Sequence, residues 1–168
     1  RALANNSVAY TELPDVGIFL KEWTTLYESK SGERGIFNRV AATKKANSNG
    51  RRDTDGYDYG TNPCGEIILR SKGLCNLSEI VIREGDTLDD LKRKVEVATI
   101  IGTFQSTLTN FRYVRSDWRK NQEEERLLGV SMTGIMDHPV LSKPSEKTIE
   151  WLKELRQHAI NVNKLWAD

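Results

Sequence analysis

An α/β fold is what the sequence predicts, on three observations. Short β-rich segments stand near residues 66–69 and 77–83, long stretches carry apolar residues at helical spacing, and the two kinds alternate along one chain. Ser7-Val8-Ala9-Tyr10 reads as a short extended start. Pro14 followed by Asp15 suits the first turn of a helix, where a missing N–H costs nothing and a carboxylate meets the positive helix end. Val16, Phe19, Leu20, Trp23 and Leu26-Tyr27 carry that helix to about Ser29, and Lys30-Ser31-Gly32 stops it. A shorter helix is expected over 35–46, with Ile36, Phe37 and Val40 inward. Residues 47–60 are rich in Asn, Gly and Asp without periodicity and read as a loop, Arg51-Arg52 being a solvated turn within it.

The block 61–84 holds two short strands, 66–69 and 77–83, joined through Arg70-Ser71-Lys72-Gly73. Thr87 with Asp90 forms a capping-box-like start for a long helix over 87–112, whose stripe Leu88, Leu91, Val95, Ala98, Ile101, Phe104, Leu108 and Phe111 is read as core packing. A polar stretch, 116–126, leads to 127–136, where Gly129 and Gly134 mark an element packed tightly against a neighbour. A last helix, over 145–166, presents Ile149, Leu152, Leu155, Ala159, Val162 and Trp166 on one side.

Composition narrows the function. The 168 residues, 38% of them apolar, suffice for one domain with its own core. The 25 basic and 24 acidic side chains leave a net charge of +1, so no global field attracts nucleic acid or an anionic membrane. No apolar run approaches a membrane span and the first residues lack the apolar core of a signal peptide, which makes the cytoplasm the default. The chain begins without Met, and its opening reads like the interior of a strand, as expected of a piece of something larger. Cys64 and Cys75 are too few for a disulfide scaffold and lack the spacing and histidines of a zinc site, so they are read as thiols and no metal is expected.

The chemistry concentrates in Thr61-Asn62-Pro63-Cys64-Gly65-Glu66. In an extended segment alternate side chains share a face, which would set an amide, a thiol and a carboxylate, Asn62, Cys64 and Glu66, on one patch. Pro63 and Gly65 suit a tight, finger-like loop better than a central strand. A carboxylate beside a thiol disfavours thiolate formation and hence nucleophilic chemistry. Homolytic chemistry meets no such objection: a thiyl radical exchanges a hydrogen atom with an activated sugar C–H nearly reversibly, a neighbouring carboxylate can take a hydroxyl proton, and an amide can hold a second hydroxyl.

That hexapeptide with Ile67, followed by Gly73-Leu74-Cys75-Asn76-Leu77-Ser78-Glu79-Ile80, resembles the active-site loop and following strand of ribonucleotide reductases. The likeness extends through Ala4-Asn5-Asn6-Ser7-Val8, Gly32-Glu33-Arg34-Gly35-Ile36-Phe37-Asn38-Arg39 and Leu128-Gly129-Val130-Ser131-Met132-Thr133-Gly134-Ile135-Met136-Asp137, most of the chain up to about His138. Asn-Pro-Cys alone is a weak signal; two cysteines eleven positions apart with these polar partners are a specific one. The resemblance implies that residues 1–168 are a fragment of the ten-stranded α/β barrel of such an enzyme, with the Cys64 loop as its central finger. It implies that Cys64 becomes the thiyl radical that takes the ribose 3′ hydrogen, that Glu66 is the base on the 3′ hydroxyl, and that Asn62 is the amide that orients the hydroxyls. Cys75 would be one of two cysteines that deliver electrons as the 2′ hydroxyl leaves; its partner cysteine is not in this chain.

The Asn-Pro-Cys form and the eleven-residue interval resemble the adenosylcobalamin-dependent class, although the cobalamin-binding and phosphate-binding segments are not matched here. The substrate implied is a ribonucleoside di- or triphosphate. The implied partners are the rest of the barrel and an external thiol reductant such as thioredoxin. Three other readings stay open: a reductase with a separate radical-generating subunit, an inactive split-gene module that folds properly only within the barrel, and a thiol–disulfide exchange protein using Cys64 and Cys75, the least supported because neither motif has a basic neighbour. Taken singly, Cys75 reads as a small buried hydrophobe, Asn62 as a turn cap and Glu66 as a solvated carboxylate. His138 and His158 are assigned no chemistry, and Trp23, Trp118, Trp151 and Trp166 are read as core or interface aromatics.

Overall fold

The computed structural model of the chain describes residues 7–30, 35–48, 50, 52 and 56–167. Ala4-Asn5-Asn6, Ser31, Gly32-Glu33-Arg34 and Arg51, on which several expectations fall, lie outside them. The chain divides into two compact units, Arg1–Gly73 and Leu74–Asp168. Among the described residues the strands form three two-stranded sheets, two parallel and one antiparallel, interleaved with helices in a mixed α/β architecture.

In the first unit, β1 (Val8–Tyr10) pairs in parallel with β2 (Ile36–Asn38), joined through α1 (Val16–Ser29). Asp15 caps α1, its Oδ1 accepting from the backbone N–H of Gly17 at 2.8 Å and Ile18 at 3.2 Å, and Lys30 ends it in the left-handed region. The helix expected over 35–46 starts later. Ile36 and Phe37 are strand residues opposite Val8 and Ala9, and Asn38 is the N-cap of α2 (Arg39–Asn47), accepting from Ala41 N–H at 2.9 Å. An Asx cap requires extended backbone at its own position, so the helix could not include it. None of the residues of α1 is buried; Val16, Leu20 and Trp23 stay exposed in spite of their spacing.

In the second unit, β5 (Asn76–Val81) runs parallel to β6 (Leu128–Thr133), with Asn76 opposite Leu128 and Val81 opposite Thr133. Between them come α3 (Leu88–Ser106) and α4 (Ser116–Glu125); α5 (Glu146–Ala167) follows. Thr87 and Asp90 form the expected capping box on α3. Ile80, Ile82, Leu91, Val95, Ala98, Leu141 and Leu155 make the core, with Trp151 packed at its edge.

Three expectations need correction. The α3 stripe is core only as far as Ala98: Ile101 and Phe104 are 56% and 54% exposed, and the helix ends at Ser106, leaving Leu108 and Phe111 outside it. The run Ser106-Thr107-Leu108-Thr109 explains the early end, since the Ser106 and Thr107 hydroxyls donate back to Thr103 and Phe104 carbonyls and compete with helix continuation. On α5, Leu155 and Val162 are buried as expected but Ile149, Leu152 and Trp166 are exposed. The polar stretch 116–126 contains a helix, α4, which lacks an apolar stripe and is supported instead by Arg119–Glu123 at 2.7 Å and by buried Gln122, whose amide donates to Ser106 O at 3.4 Å.

Tight packing around Gly134 is as read from the sequence. Its φ is +78°, and a Cβ there would stand 2.4 Å from Ile82 O. Behind it, His138 is 1% exposed: one ring nitrogen, Nε2, lies 2.9 Å from Asp86 O, and Nδ1 accepts from Val140 and Leu141 N–H at 3.2 Å each. The ring is a structural keystone of the turn before α5.

Candidate active site at the Cys64 turn

The hexapeptide closes an antiparallel hairpin. Its strands are β3 (Tyr59–Thr61) and β4 (Ile68–Arg70), in register with Tyr59 opposite Arg70 and Thr61 opposite Ile68. The strand expected over 66–69 therefore begins two residues later, and Glu66 and Ile67 belong to the connection. Asn62 N–H donates to Ile67 O at 3.3 Å, extending the ladder one step, and Gly65 N–H donates to Asn62 O at 3.0 Å, closing a four-residue turn. Pro63 supplies the preset φ of the second turn position, and Gly65, at φ +88°, supplies the left-handed residue that brings the chain back. Cys64 sits at the apex between them, exposed.

Asn62 holds this turn together. Its side chain is buried; Oδ1 accepts from Ile67 N–H at 3.0 Å and from the Thr61 hydroxyl at 3.3 Å, and Nδ2 donates to Glu66 Oε1 at 2.5 Å. The amide and the carboxylate expected to flank the thiol do meet, but across a turn rather than by strand alternation, because residues 62–65 are folded back and not extended. The result is an exposed thiol two residues along the chain from an exposed carboxylate that is hydrogen-bonded by a buried amide. Such a set can offer a hydrogen-atom donor, a proton acceptor and a neutral hydrogen-bonding group to one small polyol.

The residues behind the turn escaped the sequence reading. Arg52 is no solvated turn residue: its Nη1 donates to Ile68 O at 2.9 Å, and its guanidinium lies 4.7 Å from the ring centroid of fully buried Tyr59. Arg70 on β4 in turn lies 3.6 Å over the ring of Tyr57. Each strand thus gains an arginine–tyrosine stack. The alternation Tyr57-x-Tyr59 facing a strand with Arg70 was the available signal, since cross-strand aromatic–cation pairs are a recurrent sheet device. At the foot of the hairpin Arg39 Nη1 pairs with Asp58 at 2.6 Å.

Cys75 lies in the second unit, a half-buried free thiol immediately before β5. The neighbouring Asn76 fixes that end of the sheet, donating from Nδ2 to Leu127 O at 2.8 Å. No helix among the described residues is long and apolar enough to cross a membrane.

Comparison with curated proteins finds similarity to adenosylcobalamin-dependent ribonucleoside-triphosphate reductases. The protein of that name from Lacticaseibacillus paracasei is 31% identical over 152 residues, 82% of this chain and 18% of that protein. Those from Lactobacillus acidophilus and Levilactobacillus brevis are 36% identical over 118 residues and 31% over 144, covering 64% and 82% of this chain but 14% and 18% of their own lengths. The chain thus spans less than a fifth of the length of the relatives it matches. No family model matches the sequence, and no solved structure matches it.

Proposed function

We propose that this chain, a relative of the adenosylcobalamin-dependent ribonucleoside-triphosphate reductases over most of its length, is the segment of such an enzyme that carries the radical-forming cysteine. The observation that carries the reading is the Cys64 turn itself, with an exposed cysteine at the apex and Glu66 tied to buried Asn62 across the turn, in a stretch whose sequence resembles the reductase active-site loop. The hairpin would be the finger of a ten-stranded barrel, and Cys64 would face the ribose of a ribonucleoside di- or triphosphate.

The chemistry follows from the side chains. The Cys64 thiyl takes the 3′ hydrogen atom, leaving a carbon radical on the sugar. Glu66 accepts the 3′ hydroxyl proton while Asn62 hydrogen-bonds a hydroxyl and keeps the ring in register. The 2′ oxygen departs as water. Cys75 and a cysteine from outside this chain together lose two electrons and two protons and close a disulfide, and Cys64 returns its hydrogen to C3′. One ribonucleotide and one dithiol yield one deoxyribonucleotide, one water and one disulfide, which a thioredoxin-like thiol would reduce again in the cytoplasm.

Adenosylcobalamin, when bound, would supply the radical that removes the Cys64 hydrogen. Exposure of Cys64 at the apex fits that need for access. Neither the polar groove of about 380 Å³ along β3 and β4 nor the apolar one of about 610 Å³ along β5 and α3 is lined by any residue of the turn, so no residue here is assigned to holding the corrin.

A complementary reading, that the segment works only within the assembled protein, is favoured by the exposed apolar residues of α1 and of the outer part of α3. Reconstitution of the full-length protein with adenosylcobalamin, ribonucleotide and a dithiol tests the proposal. Deoxynucleotide should form with the native sequence and not with Cys64→Ser, nucleotide binding being retained; turnover by the Cys64→Ser protein removes Cys64 from this role.

A further inference from the structure

We propose that Arg52 is a positioning residue for the Cys64 turn, a role that rests on the reading of Cys64 given above. Arg52 reaches both strands of the hairpin from outside it. Its guanidinium covers the ring of Tyr59 on β3, with 4.7 Å between the guanidinium carbon and the ring centroid, and its Nη1 donates to the carbonyl of Ile68, the first residue of β4, at 2.9 Å. Tyr59 is fully buried, so this ring is a fixed platform and not a mobile surface group. Ile68 stands opposite Thr61 and directly follows Ile67, whose N–H is held by Asn62 and whose carbonyl receives Asn62 N–H.

The chain of contacts therefore runs Tyr59, Arg52, Ile68, Ile67, Asn62, Glu66, each link a stack, a peptide bond or a hydrogen bond. A hairpin with three paired residues on each strand is too short to hold its register alone. A planar cation that stacks on one strand and donates to the other opposes the sliding or splaying that would break the Asn62 bonds to Ile67 and Glu66. Arg52 touches no reacting atom; it acts through the backbone.

The test compares Arg52→Met and Arg52→Lys. In this chain, amide exchange at Gly65 and Ile67 should quicken about tenfold in Arg52→Met, the size expected from losing one cation–π stack and one hydrogen bond. Arg52→Lys, which keeps the charge but not the plane, should recover only part of that protection, while exchange across β5 and β6 stays unchanged. In the full-length reductase the same Arg52→Met change should lower kcat with substrate KM unaltered. Unchanged Gly65 and Ile67 exchange, or full recovery with lysine, would overturn the role of Arg52, whatever Cys64→Ser shows. Turnover retained by Cys64→Ser would sink the radical reading and leave the exchange result standing.

Discussion

Replacing Asn62 by alanine should release the active-site turn while leaving both units folded. Three side-chain contacts of unequal weight are lost, the long bond from the Thr61 hydroxyl at 3.3 Å counting least. Ile67 N–H loses the Oδ1 acceptor at 3.0 Å and is left without a partner in a half-buried connection, a penalty of about 1–3 kcal/mol. The Nδ2 donation to Glu66 is charge-assisted but partly exposed to water, and contributes about 1 kcal/mol. Together they amount to roughly 2–4 kcal/mol, so local opening of the turn becomes about 30- to 900-fold more frequent. Amide exchange at Ile67, followed by NMR, reads that ratio directly. Asn62→Asp serves as the comparison: it keeps the acceptor for Ile67 N–H but sets a second carboxylate against Glu66, so Ile67 should stay protected while Glu66 swings away. Ile67 exchange in Asn62→Ala within threefold of the native rate would refute the claim that this amide organises the turn.

Other expectations concern the second unit. Gly134→Ala should destabilise it by at least about 2 kcal/mol in urea denaturation, because a φ of +78° disfavours any Cβ and this one would stand 2.4 Å from Ile82 O; a loss below about 0.5 kcal/mol would mean the loop relaxes freely. His138→Leu strands the N–H groups of Val140 and Leu141 and should cost about 2–4 kcal/mol by the same assay; an unchanged midpoint would contradict the keystone role. Burial pushes the Asp86 carboxyl up, yet the Lys94 ammonium and the Arg83 N–H more than offset it and hold it below the ordinary 3.8. A carboxyl depressed on folding stabilises fully above its unfolded value and loses that contribution as pH falls through the folded one. Asp86→Asn should therefore flatten the loss of stability below about pH 3.8 and leave no such slope to Lys94; an identical acid limb in the variant would show that the carboxyl carries none of it.

Much of the fold was legible wherever local chemistry decides the outcome. The Asp15 cap and the Thr87–Asp90 box each follow from a side chain acting on its own backbone, and the strand expected over 77–83 is present as Asn76–Val81. The misreadings share a different cause. Ile36 and Phe37 were assigned to a helix because only their pairing with Val8 and Ala9, nearly thirty residues earlier, makes them a strand. Apolar spacing on α1, on the outer half of α3 and on Ile149 and Leu152 predicted burial, but spacing shows which residues share a face and not what covers it. α4 had no stripe to find, being held by ion pairs along its surface.

In the site, Asn62, Cys64 and Glu66 were recognisable because their chemistry is compressed into five residues. Their mechanical support was not, since the Arg52 stack on Tyr59 and the Arg70 stack on Tyr57 each join a strand residue to one from the preceding stretch, whose composition reads as loop. The polarity of Arg52 masked a side chain fixed by a ring on one strand and a carbonyl on the other.

The most direct measurement is electron paramagnetic resonance of the full-length protein, freeze-quenched after mixing with adenosylcobalamin and ribonucleotide. The account predicts a sulfur-centred signal that narrows when cysteine is deuterated at its β carbon, persists in Cys75→Ser and vanishes in Cys64→Ser. A signal of the same shape in the Cys64→Ser protein would place the radical on another residue and contradict the central claim.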